Sequence, residues 1–120
     1  LVDDEDIILK TVKSMLEFMN YSVVCECEGN AALKTYKKEI NCNPFSAIIV
    51  DLTIRAGMGG KELVKEIRKT DTKIPVFVSS GYAEDPVMAD PGKYGFTDSL
   101  SKPFRKSDLM VLLNKHIRKT

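Results

Sequence analysis

The stretch AIIVD at residues 47–51 decides the fold of this chain. Its four leading residues form the most apolar short run of the sequence, and a glycine-rich stretch, GMGG at residues 57–60, follows soon after. Short runs rich in isoleucine and valine are typical of strands buried on both faces, as parallel strands between helices are. Asp51 is therefore predicted where such a strand ends, and ligands of open parallel sheets bind just beyond those ends.

Short strand-like segments also lie on either side of residues 47–51. Leu1-Val2 matches the end of a first strand, and residues 21–27, 74–80 and 96–101 match a second, fourth and fifth. Helical spacing of apolar residues marks the intervening segments. These predicted helices lie within residues 8–19, 32–40, 63–67, 83–93 and 109–117. Strands alternating with helices predict an α/β domain, doubly wound around a five-stranded parallel sheet, with five helices.

Length and composition indicate one soluble domain. The chain has 120 residues, 43% of them hydrophobic and 29% charged, with a net charge of +1, so we expect no direct nucleic-acid contact. The sequence contains no apolar run near the roughly 18 residues of a membrane span, so we expect no membrane contact. Three cysteines without metal-ligand spacing favour a cytoplasmic location. Because only Leu1 and Val2 precede the first acids, we expect domain 1–120 to be excised from a longer chain.

Polar side chains follow four of the predicted strands. They are Asp3 and Asp4, Asp51, Ser80 and Lys102. Since the carboxyl ends of parallel strands meet at one edge, these groups are predicted to cluster, and clustered carboxylates stay ionised together only beside a cation. Mg²⁺ prefers such oxygen ligands. Helix capping is the alternative for the acids at residues 3–6, although it needs only one or two of the four.

The same edge offers the groups that phosphoryl transfer requires. A metal-bound carboxylate, a lysine and a hydroxyl can together position a phosphoryl group and neutralise its charge. Asp51, Lys102 and Ser80 would supply those three groups. The sequence therefore predicts a phosphoryl site at the strand ends.

These residues, in this order, resemble the receiver domains of two-component response regulators. The resemblance covers essentially the whole chain and rests on Asp3-Asp4, Asp51, Ser80-Gly81 and the stretch KPF at residues 102–104. It implies the flavodoxin-like strand order 2-1-3-4-5. It also implies reversible phosphorylation of Asp51 by a phosphohistidine, so the expected partner is a histidine kinase or a histidine phosphotransfer domain. The sequence leaves open whether the domain also forms a weak homodimer.

The resemblance also implies a role for each site residue. Asp4 and Asp51 would bind Mg²⁺ directly, together with the backbone carbonyl of Thr53, and Asp3 would act through water. Lys102 would pair with the phosphoryl group and Ser80 would move to meet it. The bond between Lys102 and Pro103 would be a cis peptide.

Several stretches are similar to receivers at the C-terminus of hybrid sensor histidine kinases. They are residues 51–62, 79–82 and 85–89. Two departures from the common receiver pattern stand out. Arg55 replaces the usual proline in a loop that is one residue longer, and Ser99 replaces the usual aromatic residue before the lysine. Without that ring, we expect phosphorylation to change the last strand little and the loops containing Arg55 and Tyr82 more.

Two other functions remain open for the same fold. One is a Mg²⁺-dependent phosphohydrolase with an aspartyl nucleophile, which would need a substrate pocket or cap. The other is an interaction domain that is never phosphorylated. The complete set of acids, hydroxyl and lysine favours the phosphoacceptor.

Overall fold

A computed structural model describes residues 1–54, 57–82 and 84–117 of the chain. Within these ranges, three parallel strands form the sheet in the order β1-β2-β3. They are β1 (Ile48–Asp51), β2 (Val76–Ser80) and β3 (Asp98–Ser101). Asp51 is paired with Ser79 and Ser80 with Ser101, so the three strands end at one edge.

The first two predicted strands are reduced to single bridges. Val2 pairs in parallel with Val50 on one side and with Glu26 on the other. Its amide donates to the carbonyl of Ile49 at 2.8 Å, and its carbonyl accepts from the amide of Asp51 at 2.8 Å. The segments therefore keep the order 2-1-3-4-5. Residues 21–27 otherwise meet residues 1–3 through single hydrogen bonds, such as the one from the amide of Glu26 to the carbonyl of Leu1 at 3.0 Å.

In the part of the chain that the structure describes, five α-helices surround the sheet, as predicted. They are α1 (Asp6–Phe18), α2 (Gly29–Glu39), α3 (Gly60–Arg68), α4 (Pro86–Ala89) and α5 (Lys106–His116). The predicted helix over residues 83–93 is interrupted: α4 ends at Ala89 and a 3₁₀ helix follows over Pro91–Tyr94, since proline cannot continue an α-helix. Among the described residues, no helix is both long and apolar enough to cross a membrane.

Alternate residues of each strand pack on opposite faces of the sheet. Val50 and Val78 join a core with Val64 of α3, whereas Phe77 joins a second core with Leu109 of α5 on the other face. All five of these side chains are fully buried. Helices therefore cover both faces, and the doubly wound α/β architecture predicted from the sequence is confirmed.

Arg68 ties the end of α3 to the edge of the sheet opposite the site. Its guanidinium donates to the carbonyls of Gly95 at 2.8 Å and Ile74 at 2.7 Å. Hydrogen bonds to charged groups stabilise by roughly 1.5–3 kcal/mol, so we expect Arg68→Ala to lower the free energy of unfolding by about 2–3 kcal/mol. Urea denaturation measures this loss. Lys65→Ala, which removes an exposed cation from the same helix, is the control, and an equally small loss for both variants would contradict the prediction.

Candidate functional site

Two buried carboxylates lie side by side where β1 ends. Asp51 is 2% exposed and Asp3 is 1% exposed. Asp3 reaches this position because Val2, directly before it, pairs with β1. Burial raises the pKa of the Asp51 carboxyl, and the negative charge of Asp3 raises that pKa further. Lys102 and Thr53 lower the pKa but do not cancel the rise. The ionised carboxylate of Asp51 therefore destabilises the folded state.

Lys102 provides the positive charge between these two acids. Its Nζ lies 2.7 Å from Oδ2 of Asp3 and 3.4 Å from Oδ1 of Asp51. Burial lowers the pKa of the Lys102 ammonium, but the two carboxylates outweigh burial and raise it overall. The following peptide bond, to Pro103, is cis, as the resemblance implied. A charged lysine thus compensates the buried acids.

Thr53 contacts Asp51 through its hydroxyl as well as its backbone. The amide of Thr53 lies 3.4 Å from Oδ1 of Asp51, and its hydroxyl donates to the same oxygen at 3.3 Å. The sequence interpretation considered only the carbonyl of Thr53 and missed this hydroxyl. The tendency of an aspartate to accept a hydrogen bond from the backbone two residues later could have indicated the amide contact, but not the hydroxyl contact.

Ser80 lies at the same edge and is fully buried. Its Oγ accepts a hydrogen bond from the amide of Tyr82 at 3.0 Å, and its carbonyl accepts from the amide of Lys102 at 2.8 Å. The second bond links the ends of β2 and β3, so Ser80 and Lys102 are placed together by the backbone. Tyr82 itself is 70% exposed.

The acids before α1 converge on one another. Carboxylate oxygens of Asp3, Asp4 and Glu5 all lie within 4.8 Å of one another. Sequence interpretation missed Glu5 as a third member, although the unbroken acidic run at residues 3–6 was the signal. Capping does not account for this residue, because Glu5 occupies the N-cap of α1 without a side-chain capping hydrogen bond. The predicted ligand set of Asp4, Asp51 and the Thr53 carbonyl stays a prediction.

The two departures from the receiver pattern have different outcomes. Ser99, in β3, donates its hydroxyl to the carbonyl of Met88 at 3.0 Å and so links β3 to α4. Arg55 lies outside the described residues. The expected small response of β3 to phosphorylation stays a prediction.

The family model of the response regulator receiver domain matches residues 1–114. This chain belongs to that family. Receiver domains act in two-component signal transduction, so this role and the predicted family are confirmed. The match covers the whole candidate site, from Asp3 to Lys102.

Curated relatives of this receiver domain are longer proteins. The transcription factor SKN7 of Candida albicans is 27% identical over 117 residues, which are 98% of this chain and 20% of the relative. The response regulator protein TodT of Pseudomonas putida is 24% identical over 110 residues, which are 92% of this chain and 46% of the relative. The chain therefore spans less than half the length of these two relatives.

Solved structures share the receiver fold. A response regulator receiver domain from Clostridium thermocellum has a TM-score of 0.86 and 26% identity, covering 97% of this chain and 90% of its own. The receiver domain of sensor histidine kinase PA1611 from Pseudomonas aeruginosa, with a magnesium ion coordinated in its active-site cleft, has a TM-score of 0.80 and 21% identity. That alignment covers 96% of this chain and 93% of the other, and it confirms the flavodoxin-like fold.

Proposed function

We propose that Asp51 accepts a phosphoryl group from a phosphohistidine of a histidine kinase or a histidine phosphotransfer domain. The observation that carries this proposal is the buried Asp51 carboxylate with the Nζ of Lys102 3.4 Å from its Oδ1. One carboxylate oxygen of Asp51 forms a bond to phosphorus. The phosphorus–nitrogen bond to the donor imidazole breaks, and its electron pair returns to the nitrogen.

The chain's own residues position and neutralise the transferred group. Lys102 lies between Asp3 and Asp51, so its ammonium can pair with phosphoryl oxygens bound to Asp51. The hydroxyl of Ser80, at the same edge, can donate a hydrogen bond to one of those oxygens. Fixed charges and donors of this kind are the main contribution of a protein to phosphoryl transfer.

The donor set fits a hard divalent cation. Burial and, after it, the neighbouring charge of Asp3 raise the pKa of Asp51, and further oxygens of Asp4 and Glu5 lie close to Asp3. We propose Mg²⁺, held by Asp4, Asp51 and the Thr53 carbonyl, with Asp3 acting through water. When bound, the ion would supply charge neutralisation. The magnesium ion in the cleft of the Pseudomonas aeruginosa receiver supports this choice.

Replacing Asp4 tests the metal site. We expect Asp4→Asn to weaken Mg²⁺ binding by about tenfold or more, equivalent to about 1.4 kcal/mol, because a charged ligand is lost. The same variant should stabilise the Mg²⁺-free fold, since like-charge repulsion falls. Isothermal titration and urea denaturation measure the two effects. Asp6→Asn is the matched control, because exposed Asp6 is paired with Lys10 at 3.0 Å; equal affinities for both variants would favour simple helix capping.

We also propose that this receiver is part of a hybrid sensor histidine kinase in the cytoplasm. The similarity of residues 51–62 to such receivers supports the first statement. The free cysteines Cys25, Cys27 and Cys42 fit a reducing compartment and support the second. A histidine kinase core encoded in the same reading frame is the expected finding; a frame that encodes only this domain would contradict it.

Intact mass after incubation with acetyl phosphate and Mg²⁺ tests the function. A phosphoacceptor gains one phosphoryl group. A phosphohydrolase consumes acetyl phosphate without accumulating a modified form, and an interaction domain shows neither change. We expect accumulation of the singly modified form; either of the other two results would contradict the proposal.

A further inference from the structure

The loop after Asp51 is held at its far end by the start of α2. The Oδ1 atom of Asn30 accepts a hydrogen bond from the amide of Met58 at 2.6 Å. Asn30 is the second residue of α2, and its side chain is exposed. The bond therefore joins a helix on one face of the sheet to the loop that leaves the site.

Two glycines allow this close approach. A Cβ on Gly29 would lie 2.1 Å from the carbonyl oxygen of Met58, so only glycine fits there without moving the loop. Gly57 adopts φ +68°, a conformation that favours glycine, and a Cβ there would lie 2.7 Å from Oδ1 of Asn30. Backbone and side-chain geometry thus both specify the contact between α2 and residues 57–58.

The same loop is fixed at its near end by the site itself. Thr53 donates to the carboxylate of Asp51, and α3 begins just beyond the loop, where a Cβ on Gly60 would meet the carbonyl of Asp51 at 3.0 Å. Met58 lies only two residues before Gly60, the residue that packs against the carbonyl of Asp51. A shift at Met58 is therefore expected to move the start of α3 relative to Asp51.

We propose that Asn30 and Gly29 are positioning residues, which act on the phosphoryl site by holding the loop after Asp51. They do not touch Asp51, and their effect passes through Met58. The expected consequence for phosphorylation rests on the proposed function. The contact itself does not, which lets the two be tested separately.

Four variants test this proposal. Asn30→Ala removes the acceptor, Asn30→Asp keeps it, and Gly29→Ala pushes the loop away through a clash with the Met58 backbone. Asn114→Ala, an exposed asparagine of α5, is the matched control. The readouts are hydrogen exchange of the Met58 amide, Mg²⁺ affinity by titration, and the initial rate of phosphorylation by acetyl phosphate.

We expect Asn30→Ala to expose the Met58 amide to exchange and to lower Mg²⁺ affinity and the phosphorylation rate about fivefold, the scale of one hydrogen bond. Asn30→Asp should keep most of the wild-type Mg²⁺ affinity and phosphorylation rate. Gly29→Ala should lower the rate at least as much, and its clash with the Met58 backbone should also lower the midpoint of urea unfolding. Asn30→Ala should lower the rate with little change in the midpoint, because the Asn30 side chain is exposed, whereas a purely structural role predicts that rate and midpoint change together. Asn114→Ala should change neither.

The outcomes separate this inference from the function on which it rests. If the wild-type domain accepts no phosphoryl group, the proposed function fails, and exchange of the Met58 amide together with Mg²⁺ affinity still decides the role of Asn30. If the wild type is phosphorylated and Asn30→Ala loses amide protection but keeps its Mg²⁺ affinity and rate, the positioning role is wrong. Unchanged protection in Asn30→Ala would contradict the contact itself.

Discussion

Asp51→Asn is expected to abolish phosphorylation of the domain and, in Mg²⁺-free buffer, to raise its free energy of unfolding near neutral pH. Phosphorylation is lost because the amide is not a nucleophile. Stability rises because burial and the neighbouring charge of Asp3 disfavour the ionised carboxyl, and the amide that replaces it carries no charge. The two effects have opposite signs, as expected when a site keeps a costly charge for its chemistry.

The pH dependence of stability checks the electrostatic part. Because the pKa of Asp51 is higher in the folded state than in the unfolded chain, the folded state binds more protons between those two values. The contribution of Asp51 to the stability of the wild type therefore falls as pH rises from about 4, the ordinary aspartate value, through the raised pKa. Above that pKa the penalty is complete. Asp51→Asn lacks this loss.

Urea denaturation from acidic to slightly alkaline pH, without Mg²⁺, measures the difference between the two proteins. The stability advantage of Asp51→Asn should grow with pH and then level off. Asp90→Asn, which alters an exposed acid, should follow the wild type at each pH. An advantage of Asp51→Asn that shrinks as pH rises would contradict the raised pKa.

Lys102→Ala is expected to lower the free energy of unfolding by roughly 3–5 kcal/mol in Mg²⁺-free buffer, the usual cost of removing one partner of a buried ion pair. The physical reason is that Asp3 and Asp51, both almost fully buried, would lose the ammonium between them. Added Mg²⁺ should recover part of the loss. Lys34→Ala, an exposed lysine of α2, is the control and should cost little.

The double variant Asp51→Asn, Lys102→Ala sharpens this test. With one acid already neutral, removing Lys102 should cost less than it does in the wild type, so the two changes should not be additive. Additive effects would show that Lys102 does not compensate Asp51. Lys102→Ala should still accept some phosphoryl group, but the backbone amide shifts on phosphorylation should become smaller because the ammonium no longer links the group to β3.

The position of the site could be predicted from the sequence because it depends on where strands end. Residues 47–51 are apolar enough to mark a buried strand, so the place of Asp51 follows from the sheet. Asp3 and Lys102 follow from the same rule, and in the structure the ammonium of Lys102 contacts both Asp3 and Asp51. Residue pattern alone thus identified the acids and the cation that meet there.

The contacts of the loops could not be predicted in this way. The bond from the Met58 amide to Asn30 joins segments 28 residues apart, and it depends on the loop conformation rather than on any periodicity. The hydroxyl of Thr53 was missed for a related reason, since its orientation is set by the turn after β1. The short pairing at Val2 was not predicted either, because strand propensity does not measure how many residues of two segments pair.

Chemical trapping of the phosphorylated residue tests the central claim most directly. Borohydride reduces an aspartyl phosphate to homoserine, and peptide mass spectrometry then locates the reduced residue. After phosphorylation with acetyl phosphate and Mg²⁺, we predict homoserine at position 51 alone, and none when Mg²⁺ is chelated beforehand or in Asp51→Asn. Homoserine at Asp3 or Asp4, or undiminished phosphorylation of Asp51→Asn, would contradict the assignment of Asp51 as the phosphoacceptor.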